Sequence, residues 1–195
     1  MHIAIEGIDG VGKSTAAVNL ANALHFKLVE KPLQYLFDED GSQINYLRIR
    51  DQVNKNPNKC FTGWFYGLGN IYLYERFKGE NIITDRHILS NYCWSGSEES
   101  EYVFDAIFRT IGAPDFTFLI YASPDAIERR LRNRDPNDPD IRKICEVPSA
   151  YQRMKHILNK YKMPGLVIDT SDLVEEKVVE IMINELKRVG LIDGR

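Results

Sequence analysis

One run of residues, Glu6-Gly7-Ile8-Asp9-Gly10-Val11-Gly12-Lys13-Ser14-Thr15, has the types and spacing to hold a polyphosphate. It fits the pattern G-x-x-x-x-G-K-[ST] and lies between the apolar stretch Ile3-Ala4-Ile5 and an amphipathic stretch that begins at Ser14. Gly7, Gly10 and Gly12 let the backbone turn tightly, so that successive N–H groups and a helix N-terminus point at one anion. Gly7, Gly10, Val11, Gly12, Lys13, Ser14 and Thr15 are therefore the expected contacts of ATP. Lys13 supplies a point charge for the β- and γ-phosphates, and the Ser14 hydroxyl is a ligand for Mg²⁺.

A second group lies at the end of the apolar stretch Asn81-Ile82-Ile83-Thr84-Asp85-Arg86-His87. An acid at the end of a buried strand beside a phosphate loop suits the metal or its waters, so Asp85 joins Ser14 as an expected metal ligand. Arg86 can clamp a phosphoryl group with its planar fork. A third group is Glu128-Arg129-Arg130-Leu131-Arg132-Asn133-Arg134, in which Arg130 and Arg134 share a helical face and could reach one polyphosphate. The acidic, proline-containing residues 135–140 that follow suit a mobile cover better than a core, which places a lid over about 129–145. Glu30, at the end of a short strand closed by Lys31-Pro32, could approach a substrate hydroxyl or the Mg²⁺ shell, or remain a solvated loop carboxylate.

The elements that would position these groups alternate. Apolar patterning predicts strands at 3–5, 26–30, 81–85, 116–121 and 166–169. Helices are predicted over 14–24, 43–54, 61–78, 98–111, from Ser123-Pro124 to 134, over 148–161 and over 173–189. The last should turn Val174, Val178, Ile181, Met182 and Leu186 inward. Strands alternating with helices imply an α/β three-layer sandwich around a parallel sheet. In residues 61–78 the aromatic side chains read as core, and Gly63, Gly67 and Gly69 as points where something flat could approach.

The 195 residues suit one domain spanning 1–195, with no repeat or linker. At 44% hydrophobic and 27% charged the composition is that of a globular protein, and a net charge of −3 offers no field for a long nucleic acid. Cys60, Cys93 and Cys145 are widely separated, which argues against disulfides and zinc and for a reducing, cytoplasmic location. No apolar run reaches membrane-spanning length, and a strand beginning near Met1 leaves no room for a signal peptide.

With these groups in view, the chain resembles the thymidylate kinase family over nearly its full length. Residues 6–15 look like that family's variant of the loop, and Asp85-Arg86-His87 matches its Asp-Arg-[Tyr/His]. The resemblance implies a P-loop kinase fold with a five-stranded parallel sheet, Mg²⁺ and ATP, nucleotide substrates and a homodimer. It implies that Asp9 contacts the acceptor sugar and that Arg86 bridges acceptor phosphate and donor. Gly10 stands where some members place an arginine, so the resemblance is to the bacterial type, whose catalytic arginine comes from the lid: here Arg129, Arg130, Arg132 or Arg134. With Lys13 and Arg86, Arg130 and Arg134 complete the expected catalytic set. Phe65 resembles the stacking phenylalanine, while Ser90 and Cys93-Trp94-Ser95 stand where the family has Ser and Ala-[Tyr/Phe]-[Gln/Thr]. Asp9, Glu30, Phe65, Arg86, Ser90, Trp94 and Ser95 are thus the expected acceptor contacts. Gly69 replaces the family's base-reading arginine.

The function expected is transfer of the γ-phosphoryl group of Mg-ATP to a deoxynucleoside monophosphate, dTMP by resemblance. The neighbouring deoxyribonucleoside kinases are the alternative, with Glu30 as base, although Glu30-Lys31-Pro32 departs from their Glu-Pro. A non-catalytic nucleotide sensor is a third reading. A signalling GTPase is disfavoured, because Asn54-Lys55-Asn56-Pro57 lacks the acid of a guanine-reading segment.

Overall fold

In a computed structural model, which describes residues 1–193, five parallel strands form one sheet. They are β1 (His2–Glu6), β2 (Lys27–Glu30), β3 (Ile82–Asp85), β4 (Phe116–Tyr121) and β5 (Gly165–Asp169), in the spatial order β2-β3-β1-β4-β5. The near-continuous apolar runs of β1 and β4 suit this arrangement, since both faces of a parallel sheet are covered. The register sets Glu30 beside Asp85, Ile5 beside Asp85, and Glu6 beside Leu119, so the chemistry-bearing strand ends share one edge.

The helices are α1 (Lys13–Leu24), α2 (Gln34–Phe37), α3 (Ile44–Asn54), α4 (Lys59–Arg76), α5 (Ile88–Ser95), α6 (Glu101–Ile111), α7 (Pro124–Arg134), α8 (Val147–Lys160) and α9 (Glu175–Arg188). Short 3₁₀ segments occupy Glu98–Ser100 and Pro139–Glu146. Alternate residues of β4 face opposite layers. Phe118 packs with Leu20 of α1, Ile127 of α7 and Met182 of α9, whereas Leu119 packs with Leu89 of α5, Phe104 of α6 and Met154 of α8. Among the described residues no helix is long and apolar enough to cross a membrane.

Three expectations are corrected. The helix expected over 98–111 starts at Glu101, because Ser97 and Ser100 cap each other around the preceding 3₁₀ turn. Helix α5 was not anticipated, since its few residues follow a strand without a punctuating signal. Val174 lies outside α9 as its N-cap and is 66% exposed. The chain after Arg134 is tied at its base to α7 and the core: the buried Asp138 carboxylate accepts from Asp140 N at 2.9 Å and from Arg134, and Ile141 and Ile144 pack on the main core.

Around helix α4 another expectation holds only in part, with Phe77 in the core and Phe65, Tyr66, Tyr72 and Tyr74 half-buried. The buried side of α4 carries glycines, while Phe61 and Trp64 are exposed. A Cβ on Gly67 would come within 2.4 Å of Ile107 Cδ1, so what approaches closely is α6 and not a ligand. A Cβ on Gly69 would meet Leu33 Cγ at 3.1 Å, and Leu33 is itself 2% exposed. The side chain missing at 69 has its space filled by Leu33.

Candidate active site

The glycine loop closes β1 onto α1 in a conformation that only glycine tolerates. Gly7 has φ +147°, and a Cβ there would lie 2.5 Å from the Ile120 carbonyl oxygen of the neighbouring strand; Gly12, with φ +94°, caps α1. Lys13 is buried and donates from Nζ to the Ile8 carbonyl oxygen at 2.8 Å, with Asp9 Oδ1 at 3.7 Å. Burial, aided by the nearby Arg86, lowers its pKa to about 8, against the opposing pull of Asp85, Asp9 and Glu6. An incoming polyphosphate adds negative charge beside this ammonium and restores its protonation.

Glu6, the residue before the loop, received no role from the sequence. It is fully buried and reaches across to the first turn of α5, accepting from Leu89 N at 2.8 Å, Ser90 N at 3.1 Å and Ser90 Oγ at 2.5 Å. Burial pushes its carboxyl pKa up, and these donors together with Arg86 oppose that. A carboxylate there satisfies free N–H groups at a helix start, so Glu6 welds the phosphate loop to the helix that carries Ser90, Asn91 and Trp94.

Arg86 adopts φ +79°, which costs a non-glycine residue about 1–3 kcal/mol and marks a position held by its surroundings. Its guanidinium bonds Asp9 Oδ1 at 2.5 Å, the Gly7 carbonyl oxygen at 3.1 Å and Ser90 Oγ at 3.4 Å. Burial would raise the Asp9 pKa, but Arg86 and Lys13 beside it bring it below the ordinary carboxylate range. Ser14 Oγ donates to Asp85 Oδ2 at 2.5 Å, while the other Asp85 oxygen, Oδ1, is buried without a partner. An orphaned carboxylate oxygen beside a hydroxyl and a phosphate loop is a donor set for a hard cation. With one carboxylate and one hydroxyl from the protein, such a cation would take its remaining ligands from phosphate oxygens and water.

Two clefts open on this strand edge. One, of about 710 Å³, is lined by residues 10–16 of the loop and α1, with Arg130, Arg134, Thr170 and Glu175 opposite. The other, of about 730 Å³, holds Glu30, Lys31, Tyr46, Arg50, Tyr66, Gly69, Asn70, Arg86, Ser90, Asn91, Trp94 and Lys143. Asp9, Lys13 and Ser14 line both. Each cleft is large enough for one mononucleotide.

Most of the sequence-derived site residues meet here, with differences. Arg130 is occupied by main chain: it donates to the Val11 carbonyl oxygen at 3.3 Å, to Thr170 Oγ1 at 3.2 Å and to the Thr170 carbonyl oxygen, clipping the chain after β5 to the phosphate loop. Arg134 is paired with Asp138 at 2.5 Å, and Arg132 with Glu128 on the surface. Phe65 stacks on Phe37 outside the second cleft, and it is Tyr66 that lines the wall, with its hydroxyl donating to Asn54 Oδ1 at 2.6 Å. Ser95 is buried, does not line the cleft, and accepts at its carbonyl oxygen from Ser100 Oγ. Arg50 and Lys143 went unnoticed in the sequence. Tyr46, Arg50 and Asn54, spaced four apart on α3, share the face turned to the cleft, and that spacing was the available signal.

The sheet order, the glycine loop and the paired clefts define the class as a P-loop nucleotide kinase fold. The family model described as thymidylate kinase matches residues 5–181, and the chain belongs to the thymidylate kinase family. It is similar to the thymidylate kinase of Nautilia profundicola, 23% identical over 190 residues that cover 90% of this chain and 92% of that one. Among solved structures it is similar to deoxyadenosine kinase from M. mycoides, with TM-score 0.68, 17% identity and coverage of 96% and 100%. It is also similar to thymidylate kinase from Ehrlichia chaffeensis, with TM-score 0.64, 20% identity and coverage of 96% and 98%.

Proposed function

We propose that this enzyme transfers the γ-phosphoryl group of Mg-ATP to the phosphate of a deoxynucleoside monophosphate, dTMP, and releases ADP. The observation that carries the reading is the pair of nucleotide-sized clefts sharing Asp9, Lys13 and Ser14. One has the loop N–H groups of a triphosphate site, and the other has Arg86, Arg50, Lys31 and Lys143 for a substrate already phosphorylated. Family membership and the thymidylate kinases among its relatives support dTMP as acceptor.

In this reading Lys13 and the loop N–H groups hold the donor. An acceptor phosphate oxygen attacks Pγ, the bond from Pγ to the β–γ bridging oxygen breaks, and ADP leaves with that electron pair. A dianionic phosphate needs no general base, so catalysis is positioning and charge neutralisation. Ser14 and Asp85 would hold Mg²⁺, whose charge offsets that of the donor phosphates. Arg86 faces the acceptor phosphate, and Asp9, released from it, turns to the sugar. The lid, residues 129–145 of a single domain, covers the transfer from water.

ADP release with Mg-ATP across nucleoside monophosphates and their nucleosides tests the reading. Activity with dTMP is expected. Turnover of nucleosides alone would instead make Glu30, which lines the second cleft beside Asp85, the base of a nucleoside kinase. Silence on the whole panel would leave a nucleotide sensor.

We also propose a homodimer in the cytoplasm. Phe61, Trp64 and Leu68 form an exposed stripe at helical spacing on α4, and Tyr102 of α6 is 58% exposed. Sedimentation should show a dimer that Trp64→Glu converts to monomer, and a monomeric wild type would refute this. The three free thiols fit a reducing compartment.

A further inference from the structure

The basic residues around the lid divide between the two clefts. Arg134 lines the cleft of the phosphate loop, and Lys143, on the 3₁₀ segment after it, lines the other cleft together with Arg86 and Asp9. Arg130 is committed to the carbonyl oxygens of Val11 and Thr170, and Arg132 and Arg134 to the carboxylates of Glu128 and Asp138, each four residues away. Lys143 is held from two sides. Its ammonium donates to Asp140 Oδ1 at 2.7 Å and lies 5.9 Å from the ring centroid of Trp94, the aromatic wall of the same cleft. Asp140 also approaches Arg134, at 3.9 Å. One carboxylate thus sits between a cation of each cleft, at the junction where two sets of phosphates would meet.

We propose that Lys143 is a catalytic residue of the acceptor side: its ammonium leaves Asp140 for the acceptor phosphate and stays with the phosphoryl group as it crosses, while Arg134 serves the donor. The proposal rests on the two-nucleotide reading above. Asp140 holds the cation in place until an anion of higher charge displaces it. Lys143 transfers no proton; its hydrogen bond to Asp140, with Asp9 and Glu146 nearby, keeps it protonated well above neutral pH. A lysine suits this place because a compact charge on a flexible stem follows a moving group better than a planar fork does.

The test compares wild type, Lys143→Ala and Lys143→Arg in ADP release with dTMP, alongside affinity for a fluorescent ATP analogue and thermal midpoints. Loss of the alanine variant's kcat/KM for dTMP by about a hundredfold is expected, with ATP-analogue affinity and midpoint unchanged and partial recovery in the arginine variant. Wild-type activity with an alanine variant within about threefold of it would overturn the role of Lys143 alone. So would a parallel loss of ATP-analogue affinity. A wild type that turns over no monophosphate would remove the parent reading and Lys143 with it.

Discussion

Arg86→Ala is expected to lower turnover of dTMP by about three orders of magnitude or more, because arginine stabilisation of phosphoryl transfer is worth that much. The residue is already poised. Its backbone is held at φ +79° and its fork is anchored on the Gly7 carbonyl oxygen and Ser90, so exchanging Asp9 for the acceptor phosphate is the main rearrangement left. The fold should survive, since alanine at that φ bears no more strain than arginine and the lost contacts are partly exposed. Asp9 keeps Lys13 at 3.7 Å as a counter-charge. Steady-state kcat and a thermal melt decide the matter. A variant with a native melt and turnover within about tenfold of wild type would remove Arg86 from the chemistry.

Glu6→Ala is expected to cost stability more than any change in the clefts. It leaves Leu89 N, Ser90 N and the Ser90 hydroxyl without their acceptor and opens a void in a buried site. Orphaned buried donors with a cavity amount to about 3 kcal/mol, a drop of roughly 6–12 °C in the thermal midpoint of a chain this long. Glu6→Gln keeps the volume and one acceptor, and should lose about half as much. Activity should fall as well, since α5 begins two residues after Arg86 and carries Ser90, Asn91 and Trp94 into the second cleft. An alanine variant that melts with the wild type would show that Glu6 does not couple loop and helix.

The glycine loop with its lysine and hydroxyl was legible because its chemistry is local. A glycine loop between a strand and a helix puts its N–H groups together wherever it occurs, and the lysine and hydroxyl follow at fixed offsets. The same holds for the five strands, whose apolar runs announce a sheet covered on both faces. Residues 88–95 gave no such signal. Their helix is set by a carboxylate eighty-odd positions away in the chain, and no window of sequence contains both partners.

Spacing also misassigned side chains at contacts between elements. It offered Arg130 and Arg134 as equals on one helical face, yet the carbonyl of Thr170 and the Asp138 carboxylate claim them separately. Phe65 and Tyr66 are neighbours in sequence, but successive side chains of a helix point about 100° apart, and Tyr66 lines the cleft while Phe65 stacks on Phe37. The absence of a base-reading arginine was visible at Gly69; that Leu33 fills its place was not. The sequence by itself determined the phosphate chemistry, the parallel sheet and the edge at which they meet, since each depends on residues within a turn or a strand of one another. The tertiary structure alone decided which cation lines which cleft, because a long side chain goes to the nearest unsatisfied carboxylate or carbonyl, and packing chooses which one that is.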